Sequence, residues 1–100
     1  MAQQHTAYTD AQIAEQLGAL PEWSFTGGTI QRTYTTEGWP MTLMLVNALG
    51  YAAEMADHHP DLRVTYRKIV VALSTHSAAG ITDKDFTLAR RFDEIAYGRS

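Results

Sequence analysis

Apolar residues recur along this chain with two periods, about 3.6 and 2, which distinguish helices from strands. Thr9 followed by Gln12 has the capping-box pattern of a helix start. Ile13 and Leu17 then repeat at helical spacing until Gly18 interrupts the pattern. These residues predict a short first helix.

A Gly-Gly pair at 27–28 separates the segments EWSFT and TIQRTY. Glycine accepts the positive φ angles of a tight two-residue turn, so the two segments are predicted to form a β-hairpin. The cross-strand contacts expected in this hairpin join two aromatic residues on the first strand to two residues on the second: Trp23, Phe25, Ile30 and Tyr34.

The longest helix is predicted from Pro40, which suits a first helical turn, to Asp57. Its apolar residues recur with helical period at Met44, Leu45, Ala48, Leu49, Ala52 and Met55. Met41 and residues 43–46 widen this apolar surface beyond a narrow stripe. We expect another subunit to cover part of it, the alternative being burial within the chain itself.

A second hairpin and a last helix complete the pattern. Alternating apolar residues flank Arg67-Lys68 and predict two strands: Leu62, Val64 and Tyr66, then Ile69, Val71, Leu73 and Thr75. Thr82 is predicted to cap a final helix whose apolar face carries Phe86, Ala89, Phe92 and Ile95 or Ala96.

The element order is therefore α-β-β-α-β-β-α. Hairpin-linked strands imply an antiparallel sheet, and amphipathic helices must bury their apolar faces against it. The predicted fold class is α+β, a two-layer sandwich of a four-stranded antiparallel sheet backed by three helices. With 100 residues, of which 45% are hydrophobic, the chain suits one domain, 1–100, with residues 1–8 as a flexible N-terminus.

Charge and composition narrow the function classes. A formal net charge of −3 with eight scattered Lys and Arg argues against direct nucleic-acid binding. The absence of cysteine excludes disulfides, thiolate metal sites and a cysteine nucleophile. No signal peptide and no apolar run long enough to cross a bilayer is present, so we expect a cytoplasmic protein without membrane contact.

Three of the four histidines fall at the ends of predicted elements. His58 and His59 lie between the long helix and the second hairpin, and His76 follows the last strand. Antiparallel pairing brings the start of one strand beside the end of the next, so these residues are expected at one rim of the sheet. Imidazole titrates near neutral pH, which favours acid–base chemistry. His5 stands alone and is interpreted as a packing or surface residue.

A zinc site is the rival interpretation of the histidines. The H-E-x-x-H pattern is absent, and neighbouring residues in an extended segment point in opposite directions, which disfavours joint ligation by His58 and His59. No metal is therefore predicted.

Two carboxylates lie near the histidines in sequence. Asp85 has capping-box spacing from Thr82, so the sequence alone favours a structural role for it. Glu54 lies four residues before His58 and could orient a histidine or be solvated on the helix surface.

The segment EMADHHPDLRVTYRKIVVALSTHSAAGITDKD resembles the signature of pterin-4a-carbinolamine dehydratases. The shared features are an acidic residue before HHP, a V-x-Y strand, a strand ending L-x-T-H, and G-hydrophobic-T-x-x-D. The likeness extends upstream through EWSF and TIQRTY and covers about Thr9 to Ile95. Ala79 and Thr36 depart from it, because a glycine and an aromatic residue are common at these positions.

The resemblance implies dimers or tetramers and a reaction that dehydrates a 4a-hydroxytetrahydropterin to a quinonoid dihydropterin, with pterin as substrate and no cofactor. It implies catalytic roles for His58, His59, His76 and Asp85, and substrate binding by Glu54, His59, Ser74, Thr75 and Asp85. We expect His58 and His76 to exchange protons and His59 to fix the pterin. An aromatic amino-acid hydroxylase or regulatory protein is a further expected partner. Similar scaffolds also serve as dimerisation or assembly factors, which leaves a non-catalytic binding protein as the alternative.

Overall fold

The computed structural model describes residues 6–97. Its helices and strands follow the predicted order: α1 (Asp10–Leu17), β1 (Ser24–Thr26), β2 (Thr29–Thr35), α2 (Trp39–Ala56), β3 (Asp61–Thr65), β4 (Lys68–Leu73) and α3 (Asp83–Tyr97). A single 3-10 turn, His76–Ala78, stands between β4 and α3. Among the described helices, none is both long and apolar enough to cross a membrane.

The four strands form one antiparallel sheet in the order β1-β2-β4-β3. Gly27 and Gly28 have φ angles of 59° and 80°, which is why a tight turn can join β1 to β2 there. The predicted fold class is confirmed: three helices back a four-stranded antiparallel sheet. β3 forms one edge of this sheet, so the loop that contains the double histidine lies at the sheet margin.

The core lies between the sheet and the helices. Fully buried side chains from both layers meet there: Ile30, Leu49, Ile69, Val71, Leu73, Phe86 and Phe92. In the first hairpin, the Trp23 ring packs edge-on against Tyr34, with ring centroids 6.5 Å apart. Phe25 pairs opposite Ile30 as predicted but is 40% exposed, because β1 is a short edge strand with no further strand beyond it.

Only part of the predicted apolar surface of α2 is buried within the chain. The residues of α2 that are buried are Thr42, Leu49 and Ala53, whereas Met44 and Met55 are 64% and 88% exposed. Thr42 is buried because its hydroxyl lies 2.9 Å from the Tyr66 carbonyl oxygen and satisfies its hydrogen-bonding needs there. Hydrophobic periodicity does not identify a buried threonine, so Thr42 was absent from the predicted stripe.

Asp93 joins the last turns of α3 to the sheet. Its carboxylate accepts hydrogen bonds from Trp23 Nε1, Arg32 Nη1 (3.0 Å) and the Tyr34 hydroxyl. Burial, and then the neighbouring Asp93 carboxylate, raise the pKa of Tyr34 far above its ordinary value, so the phenol stays protonated as a donor. These bonds join α3 to β2 and to Trp23, the residue before β1.

The N-terminal capping box is confirmed. The Thr9 hydroxyl accepts from the Gln12 N–H at 3.1 Å, and the Gln12 side chain accepts from the Thr9 N–H at 2.8 Å. Just before it, the Tyr8 N–H donates to the Ile81 carbonyl at 2.7 Å and the Tyr8 ring packs against Phe86. Position 8 of the segment predicted to be flexible is thus held against α3, whereas residues 1–5, including His5, lie outside the described residues.

Ala79 adopts the left-handed conformation, with φ 54° and ψ 41°. This conformation explains why a glycine suits the position, because only glycine enters it without a steric penalty. The strained residue directly follows the turn that carries His76.

We expect Ala79→Gly to stabilise the protein by about 0.5–1 kcal/mol, since the relief of strain exceeds the entropy that glycine adds to the unfolded chain. Thermal unfolding should then shift upward by about 2–6 °C. Ala78→Gly is the matched control: Ala78 lies within the 3-10 turn at negative φ, so the same change should destabilise. Equal effects from both variants would contradict the strain at Ala79.

Candidate active site

The three histidines line one cleft at the rim of the second hairpin. Asp57 ends α2 in the left-handed conformation and turns the chain, so that His58 and His59 lead into β3. Asp61 pairs with Ala72, which places the start of β3 beside the end of β4, where His76 follows. The cleft has a volume of about 420 Å³ and is lined by Asp57, His58, His59, Pro60, Asp61, Ser74, Thr75, His76, Ser77 and Lys84.

Asp85 lies beneath the cleft with no exposed surface. One carboxylate oxygen, Oδ1, lies 2.6 Å from Nε2 of His58. The other oxygen accepts from the Thr75 hydroxyl at 2.8 Å and from the Thr82 N–H at 2.9 Å. A carboxylate only accepts, so Nε2 of His58 carries the proton of this bond and Nδ1 is the nitrogen left for a ligand.

The same carboxylate caps α3. The Thr82 hydroxyl accepts from the Lys84 N–H at 3.2 Å while Asp85 accepts from the Thr82 N–H, so both side chains satisfy backbone donors at the start of the helix. Since the Thr75 proton goes to Asp85, the Thr82 hydroxyl donates to Thr75 across 2.8 Å. The capping role expected from the sequence is therefore present together with a bond to a histidine.

The second carboxylate–histidine pair is exposed. Nε2 of His59 lies 2.8 Å from Oε1 of Glu54, and their side chains are 59% and 74% exposed. His76 is also exposed, at the first position of the 3-10 turn. The Thr75 N–H donates to the Gly80 carbonyl at 2.8 Å, which closes the loop that presents His76.

A family model described as pterin 4 alpha carbinolamine dehydratase matches residues 6–95. The chain belongs to this dehydratase family. Relatives provisionally named pterin-4-alpha-carbinolamine dehydratases include one from Nocardia farcinica, 46% identical over 88% of this chain and 93% of its own. Another, from Picosynechococcus, is 44% identical over 90% of this chain and 98% of its own.

Solved structures agree with the fold. A Brucella melitensis protein described as a transcriptional coactivator/pterin dehydratase superposes with a TM-score of 0.87 at 29% identity, covering 91% of this chain and 99% of its own. A pterin dehydratase-like protein described as a RuBisCO assembly factor in the alpha-carboxysome gives a TM-score of 0.63 at 19% identity. It covers 78% of this chain and 89% of its own, and supports the fold alone.

Five of the site residues predicted from the dehydratase signature line the cleft: His58, His59, Ser74, Thr75 and His76. The two acidic residues do not line it, and each instead bonds to a histidine. Thr75 reaches the cleft with little exposed surface, because its hydroxyl is bonded to Asp85 and Thr82.

Five further residues line the cleft and were not predicted from the sequence as site residues: Asp57, Pro60, Asp61, Ser77 and Lys84. Four of them adjoin the histidines in sequence, and the motif DHHPD was the available signal for three. Lys84 precedes Asp85 within T-x-x-D, and no sequence pattern separated it from the solvated lysines of an ordinary helix start.

Within residues 6–97, no group of three or more His, Asp or Glu side chains is arranged to hold a metal ion. His58 and His59 turn to different carboxylates, one buried and one exposed. The absence of a metal requirement stays a prediction.

We expect His58 to be found as the Nε2–H tautomer, because its Nε2 faces a buried carboxylate. Nitrogen-15 NMR of the imidazoles measures this directly.

In Asp85→Asn the bond loses its charge, and three buried donors share a weaker acceptor, so the free energy of unfolding should fall by about 2–4 kcal/mol. Glu54→Gln, which alters the exposed pair, is the matched control and should cost under about 1 kcal/mol. A His58 in the Nδ1–H form would contradict the assigned bond.

Proposed function

We propose that this protein dehydrates 4a-hydroxytetrahydropterins to quinonoid dihydropterins. In this reaction the C4a–O bond breaks, and the hydroxyl leaves with its electron pair and one added proton as water. N5 loses its proton, and its electrons form the N5=C4a double bond. One proton is delivered and one is removed at neighbouring atoms, with no change of oxidation state, so the reaction requires neither a redox cofactor nor a covalent nucleophile.

The observation that carries the proposal is the meeting of three imidazoles in one cleft of about 420 Å³. This volume falls within the range of small-molecule sites. Imidazole both gives and takes protons near neutral pH, as the two halves of the dehydration require. Membership of the dehydratase family supports the same reaction.

The contacts suggest a division of labour among the histidines. Asp85 holds His58 through Nε2, so Nδ1 of His58 would exchange a proton with the substrate. His76, exposed on its turn, would make the complementary transfer at the other of the two atoms, C4a–OH or N5. His59, held by Glu54, would fix the pterin ring, and Ser74 would contribute to binding it.

Asp85 would then act as a positioning residue and not as a catalytic one. It is completely buried and separated from the cleft by the His58 ring and Thr75. The expectation that it binds the pterin ring itself is weaker on this geometry than the expectation that it orients His58. In its physiological context, the reaction would regenerate the pterin cofactor of aromatic amino-acid hydroxylases.

Replacing His58 or His76 with alanine should lower the enzyme-catalysed turnover by about 10²-fold, the lower end of the usual contribution of a positioned acid or base. His59→Ala should mainly raise KM. Formation of quinonoid dihydropterin from a 4a-hydroxytetrahydropterin, corrected for the spontaneous reaction, measures both. Glu15→Gln on the exposed surface of α1 serves as the surface control.

Thermal unfolding of each variant separates loss of chemistry from loss of fold. The exposed His59 and His76 should be replaceable with little change in stability. If all three histidine variants dehydrate as fast as the parent protein, the enzymatic proposal fails. The non-catalytic binding or assembly factor would then be the better account.

We also propose that the protein is a homo-oligomer. The outer face of α2 exposes five large apolar side chains in addition to its half-buried ones: Met41, Leu43, Met44, Tyr51 and Met55. Single exposed apolar residues are ordinary, but a contiguous group along one helix is typical of an interaction surface. A second copy of the chain is the occupant that the family resemblance implies.

Light scattering at micromolar concentration should therefore give at least twice the 11.1 kDa chain mass. Met44→Glu places a charge in the middle of this face and should shift the protein towards monomer. Thr33→Glu on β2 carries the same added charge on an exposed sheet position and is the matched control. A monomer in the unsubstituted protein would contradict the proposal.

A further inference from the structure

A second cavity adjoins the cleft. It is a groove of about 500 Å³ between the last turns of α2 and the first half of α3. The side chains along it are mostly apolar on the α2 side, with Ala52, Ala56 and Met55, and Leu88 contributes from α3. Met55 lies at the end of the outer face of α2 proposed above as the subunit contact, where that face borders the groove. None of these residues has a part in the proposed proton transfers.

Two residues line both cavities: His58 and Lys84. The groove is therefore continuous with the wall of the cleft and not a separate depression elsewhere on the surface. A ligand whose reacting atoms lie near His58 has one cavity for its ring system and a second one within reach, across the Lys84 side chain. We call this second cavity the α2–α3 groove.

The charge of the α2–α3 groove is opposite in sign to that of the protein. Lys84 and Arg91 line it against the single carboxylate of Asp83, whereas the whole chain has a formal net charge of −3. Arg91 also meets Glu94 at 3.4 Å, but both side chains are at least half exposed, so this pair is readily exchanged for another anion. The α2–α3 groove combines an apolar surface with the side chains of Lys84 and Arg91, so it suits an apolar ligand group that ends in a carboxylate.

The cations are spaced along one face of α3. Lys84, Leu88 and Arg91 follow at intervals of four and three residues, so they lie in a row. Seven residues of helix place Arg91 roughly 10 Å beyond Lys84. A planar aromatic group that crosses Leu88 and the two alanines would bring a terminal carboxylate to Arg91.

We propose that the α2–α3 groove binds the C6 substituent of the substrate, and that the preferred substrates are pterins whose C6 substituent is an aryl group followed by a carboxylate, as in the p-aminobenzoylglutamate of folates. The inference rests on the proposed dehydratase function and adds the substrate class to it. The pterin ring occupies the histidine cleft, the aryl group packs on Ala52, Ala56 and Leu88, and the carboxylate pairs with Arg91.

Calorimetric titration with two ring-matched ligands tests this. Both 7,8-dihydrofolate and 6-methyl-7,8-dihydropterin carry the pterin ring, but only the first has the aryl group and its carboxylates. We expect 7,8-dihydrofolate to bind at least about tenfold more tightly, from added apolar contact and one ion pair. Arg91→Gln should weaken dihydrofolate binding by about threefold to fivefold and leave the methyl ligand unchanged.

Arg90→Gln is the matched control. Arg90 is exposed on the same helix, carries the same charge and does not line the groove, so its loss should change neither affinity. Ala52→Leu fills the groove and should remove most of the advantage of dihydrofolate without altering binding of the methyl ligand. Light scattering of both groove variants should match the parent mass.

Equal affinities of the two ligands, or equal effects of Arg91→Gln and Arg90→Gln, would overturn the inference. An altered mass of a groove variant would overturn it too, because the groove would then be a subunit contact. The dehydratase proposal is tested separately, by turnover of 4a-hydroxy-6-methyltetrahydropterin, which lacks the aryl group and its carboxylates. Turnover of that substrate combined with equal ligand affinities would reject the groove and keep the reaction.

Discussion

The arrangement of the cleft depends on one buried charge, the Asp85 carboxylate. A carboxylate with no exposed surface is costly unless hydrogen-bond donors compensate for the lost water, and here three donors converge on it from three parts of the chain. His58 comes from the end of α2, Thr75 from the end of β4 and the Thr82 N–H from the start of α3. Satisfying the carboxylate thus fixes the junction of the sheet with two helices, and the cleft opens at that junction.

The Asp85 carboxylate both caps α3 and orients His58. The two carboxylate–histidine pairs of the cleft differ in burial, and burial decides how firmly each histidine is held. The Glu54–His59 pair lies in solvent, where an ion pair contributes little and either side chain can move. The His58–Asp85 pair is buried, and its 2.6 Å contact holds the imidazole with Nε2 towards the carboxylate. Preorganisation of this kind lowers the cost of placing an acid or base at a reacting atom. It also accounts for a histidine that is nearly buried while lining a cleft.

The sequence predicted the element order, the capping box at Thr9, the Gly27-Gly28 turn and the sharing of one rim by His58, His59 and His76, because each depends on local chemistry or on hairpin pairing. It did not place Thr42 on the buried face of α2, because the hydrogen bond of its hydroxyl joins a carbonyl 24 residues away. From the residues alone it favoured the capping role of Asp85, and a role beside a histidine came only with the family resemblance. The bond to His58 spans 27 residues, and no local spacing encodes such a contact.

Burial distinguishes the site residues that stabilise the fold from those that the proposed chemistry alone requires. His59 and His76 are exposed and bond to little of the core, so substituting them leaves the packing of the sheet and helices in place. Asp85 cannot be lost so simply, because its removal strands the Thr75 hydroxyl, the Thr82 N–H and the His58 N–H together in a dry environment. A protein on this fold that served only in binding could therefore lose the exposed histidines one at a time at little cost in stability. It could lose the buried carboxylate only by replacing the whole network. The presence of His59 and His76 is therefore a better indicator of dehydratase activity than the presence of Asp85.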